Sequence, residues 1–251
     1  AVTKPREIDL RDEDSDDPVF TSDNVVVRYQ PILDLATGRA TAVEALARLR
    51  RDDGVLLSPA QFVPHAEQAG LVEQLSAALL PQALDDLLTL RNEEHSADLY
   101  VTVNIAPRQL TQTTVDLVAD CLREASLPGS ALMLEITETG PIEDNGATLD
   151  VVRQLRALGV GIAFDDFGRG FSRLDVIREM PLDALKIDRV LVHGLADSAF
   201  DRDIVEMVVS VGRRRGLMVA AEGVETIDQV DAITRLGCTH AQGYLFGQPM
   251  D

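Results

Sequence analysis

Seven side chains in this sequence have the types and spacing to do chemistry together. Asp165 and Asp166 end the run GIAFDD, Glu44, Glu135 and Glu222 lie in or just beyond three other apolar runs, and Asn104 and Lys186 stand in two more. Taken singly, an acid at the end of such a run usually caps a helix or faces water. Recurrence across nearly every run makes that reading improbable. Like carboxylates within several ångströms raise one another's pKa, and the repulsion is relieved by protonation or by a divalent cation. Oxygen donors with one amide suit Mg²⁺ or Mn²⁺ rather than zinc. Adjacent carboxylates can bridge two ions about 3.5–4 Å apart. The four histidines (His65, His95, His193, His240) form no HxxxH pair, which disfavours zinc further. Cys121 and Cys238 lack metal-type spacing and read as small buried hydrophobes of a reducing compartment.

The elements that must position these groups alternate along the chain. Strand-like runs occupy 25–32, 40–49, 99–105, 131–137, 160–167, 184–188, 217–224 and 240–247. Amphipathic stretches such as 203–216 and 226–237 separate most of them, each ending on a Gly that suits a C-terminal stop. Residues 71–91 also read as helix, with Pro81 expected to kink or divide it. About eight strands alternating with helices over 251 residues predict one (β/α)8 barrel. An open doubly wound sheet is the competing architecture, but no GxGxxG turn follows the first strand.

Strand alternation then sorts the chemical groups. Met133, Glu135 and Thr137 oppose Leu132, Leu134 and Ile136; Gly161, Ala163 and Asp165 share a face, as do Ala184, Lys186 and Asp188. Ala42, Glu44, Leu46 and Arg48 line up together, and the same parity pairs Thr102 with Asn104, Ala220 with Glu222, and His240 with Gln242. Small residues fall low on the inward face and polar ones toward the C-terminal ends, where barrels carry their active sites.

The net charge of −19, from 42 acidic against 23 basic residues, repels nucleic acids and anionic membranes. No apolar run is long enough to span a bilayer. Residues 1–24 are charged and lack periodicity, so they are expected to be an acidic linker to another domain, with the catalytic domain spanning 25–251.

The same residues lie in an ordered set of words: YQPILDLATG with EAL and Arg48, SPAQFVPHAEQAGL, VNIAPRQL, LEITET, DDFGRGFSRL, LKIDR, AAEGVET and AQGYLFGQP. This set resembles the EAL-domain family from about residue 25 to the C-terminus. The resemblance implies a TIM-like barrel, possibly with one antiparallel strand, and a bacterial signalling phosphodiesterase that opens cyclic di-GMP to linear pGpG. It implies two divalent cations, Mg²⁺ or Mn²⁺, with Ca²⁺ inhibitory. Glu44, Asn104, Glu135 and Asp165 would hold one, and Asp165, Asp166 and Glu222 the other. Lys186 would hold a water and assist its deprotonation, with Glu222 the competing base. Gln30, Leu46, Arg48, Pro59 and Gln242 would contact cyclic di-GMP. Glu138 would anchor the loop that starts at Asp165, and Asp188 and Glu225 would support the ligands. A homodimer, a cytoplasmic location and fusion to another signalling domain, possibly GGDEF, are also implied.

Three positions depart from the family pattern. Arg169 and Arg173 replace small polar residues in the loop after Asp166, and Leu49 replaces a tryptophan. The arginines are expected either to swing into solvent or to fold over the carboxylates and compete with metal. The alternative function is accordingly a weak or inactive domain that senses cyclic di-GMP without cleaving it. A kinase reading of DFG lacks an HRD-type loop, and an enolase-like barrel leaves the YQP and AEGVET words unexplained.

Overall fold

Among the described residues, nine strands form a single sheet that closes on itself. In chain order they are β1 (Val25–Asp34), β2 (Ala40–Arg50), β3 (Leu56–Leu57), β4 (Tyr100–Ile105), β5 (Leu132–Ile136), β6 (Gly161–Phe167), β7 (Ala184–Ile187), β8 (Met218–Ala221) and β9 (His240–Gln242). The sheet order is β1-β9-β8-β7-β6-β5-β4-β2-β3, and β1 also pairs with β2, so eight strands make a barrel and β3 lies outside it on β2. Neighbours from β2 through β4 to β9 run parallel, while β1 runs antiparallel to both β2 and β9. The expected barrel with one reversed strand is therefore present. The short β3 carries no periodic signal and escaped the sequence reading. This computed structural model describes residues 19–93, 96–137, 146–168 and 178–250.

Seven helices accompany the strands: α1 (Pro59–Ala69), α2 (Val72–Glu93), α3 (Gln112–Glu124), α4 (Gly146–Ala157), α5 (Arg189–Gly194), α6 (Ala199–Arg215) and α7 (Ile227–Leu236) among the described residues. Their boundaries follow local chemistry. The Thr226 hydroxyl accepts from the Gln229 N–H to start α7, and Gly237 ends it in the left-handed region at φ 95°. Asp188 starts α5 by accepting from the Val190 N–H, so it caps a helix rather than extending its strand. Pro81 lies inside α2, which runs on as one helix instead of dividing. Leu79, Leu80, Ala83, Leu84 and Leu87 keep that helix on the barrel, and each leucine buried this way contributes about 1.5–3 kcal/mol.

The core lies between strands and helices. Leu132, Leu134 and Ile136 face outward from β5 and are buried, as are Ile162 and Phe164 from β6 and Leu185 and Ile187 from β7. Inside the barrel, register places small residues beside long ones. Ala163 stands level with Glu135, and Ala220 level with Lys186, which leaves the long polar side chains room to cross the interior. Gly161 serves Met133 in the same way, since an added Cβ would lie 3.0 Å from the Met133 Cε. Before β1, Phe20 is buried against Phe62, with ring centroids 5.9 Å apart, so packed chain begins upstream of Val25. No helix among the described residues is long and apolar enough to cross a membrane.

Candidate active site

The C-terminal ends of the parallel strands bring four of the expected carboxylates around one ammonium. Lys186 Nζ lies 2.6 Å from Glu222 Oε1, 2.7 Å from Glu135 Oε2, 3.6 Å from Glu44 Oε2 and 3.8 Å from Asp165 Oδ1. Its side chain is 1% exposed. Glu44 is held further by amides: Asn104 donates to Oε1 at 2.6 Å, and Gln242 donates to Oε2 at 2.5 Å. Gln242 also donates to Gln30, and Gln30 donates to the Gly247 carbonyl. These contacts follow from register, because Gln30 is level with Glu44 and Asn104 with Glu135.

Asp166 needs a different explanation. Strict alternation would turn it away from Asp165. The pairing of β6 with β7 is irregular between Phe164 and Phe167, and Asp166 adopts φ 59°, a region that Asp tolerates better than most residues. Its N–H donates to Asp165 Oδ1 at 2.7 Å. The bulge thereby sends two consecutive carboxylates to the same mouth. One oxygen each of Asp165, Asp166 and Glu222 lies within 4.8 Å of the others.

Burial sets the electrostatics. It pushes the Glu135 carboxyl up to about 8, with Glu44 and Asp165 adding to the rise and Lys186 opposing it. Asp165 and Glu222 are raised for the same leading reason, despite the same ammonium. For Lys186, burial works against the charge, but the surrounding carboxylates together outweigh it and hold the ammonium well above its usual range. Five carboxylates against one ammonium leave a surplus of negative charge on hard oxygen donors, which is the donor set that Mg²⁺ and Mn²⁺ take. Asp165, Asp166 and Glu222 fit one such ion. Glu44 and Glu135 oxygens engage Asn104 and Lys186, so a second ion at those residues would take over contacts now made to an amide and an ammonium.

A cavity of about 330 Å³ opens over this floor. Gln30, Glu44, Leu46, Asn104, Asp165, Asp166, Glu222 and Gln242 line it, together with Asp188 and Glu225. Glu135 and Lys186 lie below, both fully buried. Arg48 and Pro59 are not part of the wall. Arg48 donates to the Ala47 carbonyl, and burial together with Arg28 lowers its pKa; Pro59 opens α1. Glu138, Arg169 and Arg173 lie outside the described residues. The sequence reading missed Arg189, Gly223 and Tyr244 in the wall. Arg189 directly follows Asp188, the helix cap just beyond β7, which was the available signal, whereas loop residues such as Tyr244 carry no periodicity.

Set on this fold, the comparison with known proteins is decisive. The model of the EAL domain matches residues 13–249. The chain belongs to the EAL-domain family. Among curated relatives of this EAL domain, the bifunctional diguanylate cyclase/cyclic di-GMP phosphodiesterase MucR of Pseudomonas aeruginosa is 40% identical over 227 residues, 90% of this chain and 33% of MucR. The cyclic di-GMP phosphodiesterase NbdA of the same organism is 38% identical, over 91% of this chain and 29% of its own. The chain thus spans about a third of the length of these relatives. Among solved structures, the PaMucR phosphodiesterase in its c-di-GMP complex matches with a TM-score of 0.83 at 39% identity, covering 91% of this chain and 92% of that one. The EAL enzyme Bd1971 with cAMP and cyclic di-GMP bound matches with 0.85 at 31% identity, covering 91% and 62%.

Proposed function

We propose that this EAL domain is a phosphodiesterase that hydrolyses cyclic di-GMP to linear pGpG. The observation that carries the reading is the complete acidic floor, with Asp165, Asp166 and Glu222 converging beside Lys186 beneath a nucleotide-sized cavity. Relatives named for this activity support it.

Asp165, Asp166 and Glu222 would hold one divalent cation, and Glu44, Asn104, Glu135 and Asp165 a second. When bound, such ions supply a nucleophile at neutral pH and neutralise charge on the phosphoryl oxygens. The protein's own groups do the rest. Lys186, kept as an ammonium by the carboxylates around it, donates a hydrogen bond that orients the attacking water. Glu222, 2.6 Å from Lys186 and with its carboxyl raised well above the usual carboxylate range by burial, receives the proton as the general base. Gln30, Leu46 and Gln242 contact the ligand from the β1–β2–β9 side. Arg48, two residues beyond Leu46 on the same face, reaches it from the rim. Asp188 and Glu225 position the surrounding loops. A homodimer, a cytoplasmic location and a further signalling module in the intact protein belong to the same reading.

Incubation with cyclic di-GMP and Mg²⁺ or Mn²⁺, followed by chromatography, tests it. The expected product is pGpG, with no turnover in excess chelator and inhibition by Ca²⁺. Tight binding without any product would instead support a receptor.

A further inference from the structure

Six carboxylates line the described cavity, from Glu44, Asp165, Asp166, Asp188, Glu222 and Glu225, and one cationic side chain joins them, Arg189. Lys186 lies beneath, committed to its carboxylates. Arg189 is exposed, and among the described residues no carboxylate oxygen lies within 4.0 Å of its guanidinium. Its stem is held in place. Gly223 adopts φ +65°, and an added Cβ there would lie only 2.3 Å from the Arg189 Cβ. The backbone next to Glu222 therefore packs directly on the base of Arg189. The guanidinium springs from a fixed point at the cavity rim and engages none of the described acids.

A cyclic dinucleotide brings two phosphodiesters, each with one negative charge. The one under attack would lie over the acidic floor, where divalent cations held by those carboxylates would neutralise it. The other must still enter a cavity rich in carboxylates, on a protein of net charge −19, and that repulsion needs a local cation. We propose that Arg189 binds the phosphodiester that is not attacked, and so sets the affinity of the site for a two-phosphate cyclic ligand. This rests on the phosphodiesterase reading above. A charge-assisted contact of this kind at a solvent-facing rim is worth roughly a factor of ten in affinity.

The test is steady-state kinetics on cyclic di-GMP for wild type, Arg189→Ala and Arg189→Lys, at low and high salt with saturating Mg²⁺. The alanine variant should raise KM roughly tenfold while kcat changes less than about twofold. Lysine should recover most of the loss, because a point charge satisfies a phosphate but cannot replace the planar fork that reads a guanine edge. Salt should raise the wild-type KM more than that of the alanine variant. An unchanged KM, a fall confined to kcat, or a lysine variant no better than alanine overturns the proposal. A wild type that neither binds nor cleaves cyclic di-GMP overturns the phosphodiesterase reading itself, and this inference with it.

Discussion

Lys186 Nζ and Glu135 Oε2 lie 2.7 Å apart, and each side chain is only 1% exposed. This pair anchors a network in which one ammonium is shared by several carboxylates. A buried ion pair is weak evidence for stability by itself, but loss of one partner leaves an uncompensated charge. Lys186→Met should destabilise the chelated protein by about 3–5 kcal/mol. Added Mg²⁺ should stabilise the variant more than wild type, since the ion then supplies the missing positive charge. Urea denaturation with and without chelator measures both effects.

The metal-free protein should lose stability as pH rises from about 4.5 toward 8. The Glu135 carboxyl has an ordinary value near 4.5 and is pushed up to about 8 in the fold, so the folded state binds the extra proton. The corresponding stability is complete below 4.5 and is lost as the pH passes about 8. Asp165 and Glu222 shift in the same direction. Lys186 is raised well above its ordinary 10.5, so its contribution falls away only at more alkaline pH. Melting temperatures in chelator should therefore fall across this window, and Glu135→Gln should flatten the slope. Mg²⁺ should raise the melting temperature most at the alkaline end, where it meets deprotonated ligands.

Asp165→Asn should separate chemistry from folding. The substitution keeps the size of the side chain and removes one of several mutually repelling charges. Turnover should fall by about 100-fold or more, while the chelated protein melts at or above the wild-type temperature. A melt that loses cooperativity would show that Asp165 is chiefly structural.

Gly223→Ala should damage the site through the backbone. The new methyl group meets the Arg189 Cβ at a residue with φ +65°, and the combined strain costs about 1–3 kcal/mol. Relief of the clash must move the loop that carries Glu222, so turnover should drop as well. Thermal melts and kinetics on one preparation check both.

Tyr29→Phe provides a contrast away from the site. The Tyr29 hydroxyl donates to Asp86 at 2.7 Å, tying β1 to α2. Its loss should cost about 1 kcal/mol and leave kcat within about twofold.

The barrel was legible because apolar runs alternate with amphipathic ones, and two-residue alternation within those runs assigned Glu135, Lys186 and Glu44 to the interior. Alternation could not account for Asp166, whose orientation comes from a bulge and a left-handed backbone. Nor could it find Arg189, the first residue of α5, or Tyr244, on a turn, because placement there depends on neighbouring chain rather than on period. Pro81 misled for a related reason. Its packed neighbours, Leu79, Leu80 and Leu84, hold α2 together against a local preference to break.

The reversed direction of β1 decides which end of the barrel is connected to the upstream chain. Val26 is level with Arg48 and Gln30 with Glu44, so β1 enters at the substrate mouth and descends from it. Phe20, packed on Phe62, and Asn24, whose carbonyl accepts from the Arg50 N–H, clamp the chain at that entrance. A displacement of the upstream chain would therefore meet the rim above Gln30 and Glu44 before it met the far end of the barrel. The mouth that holds the acidic cluster is thus also the end at which the upstream chain is fastened to the barrel.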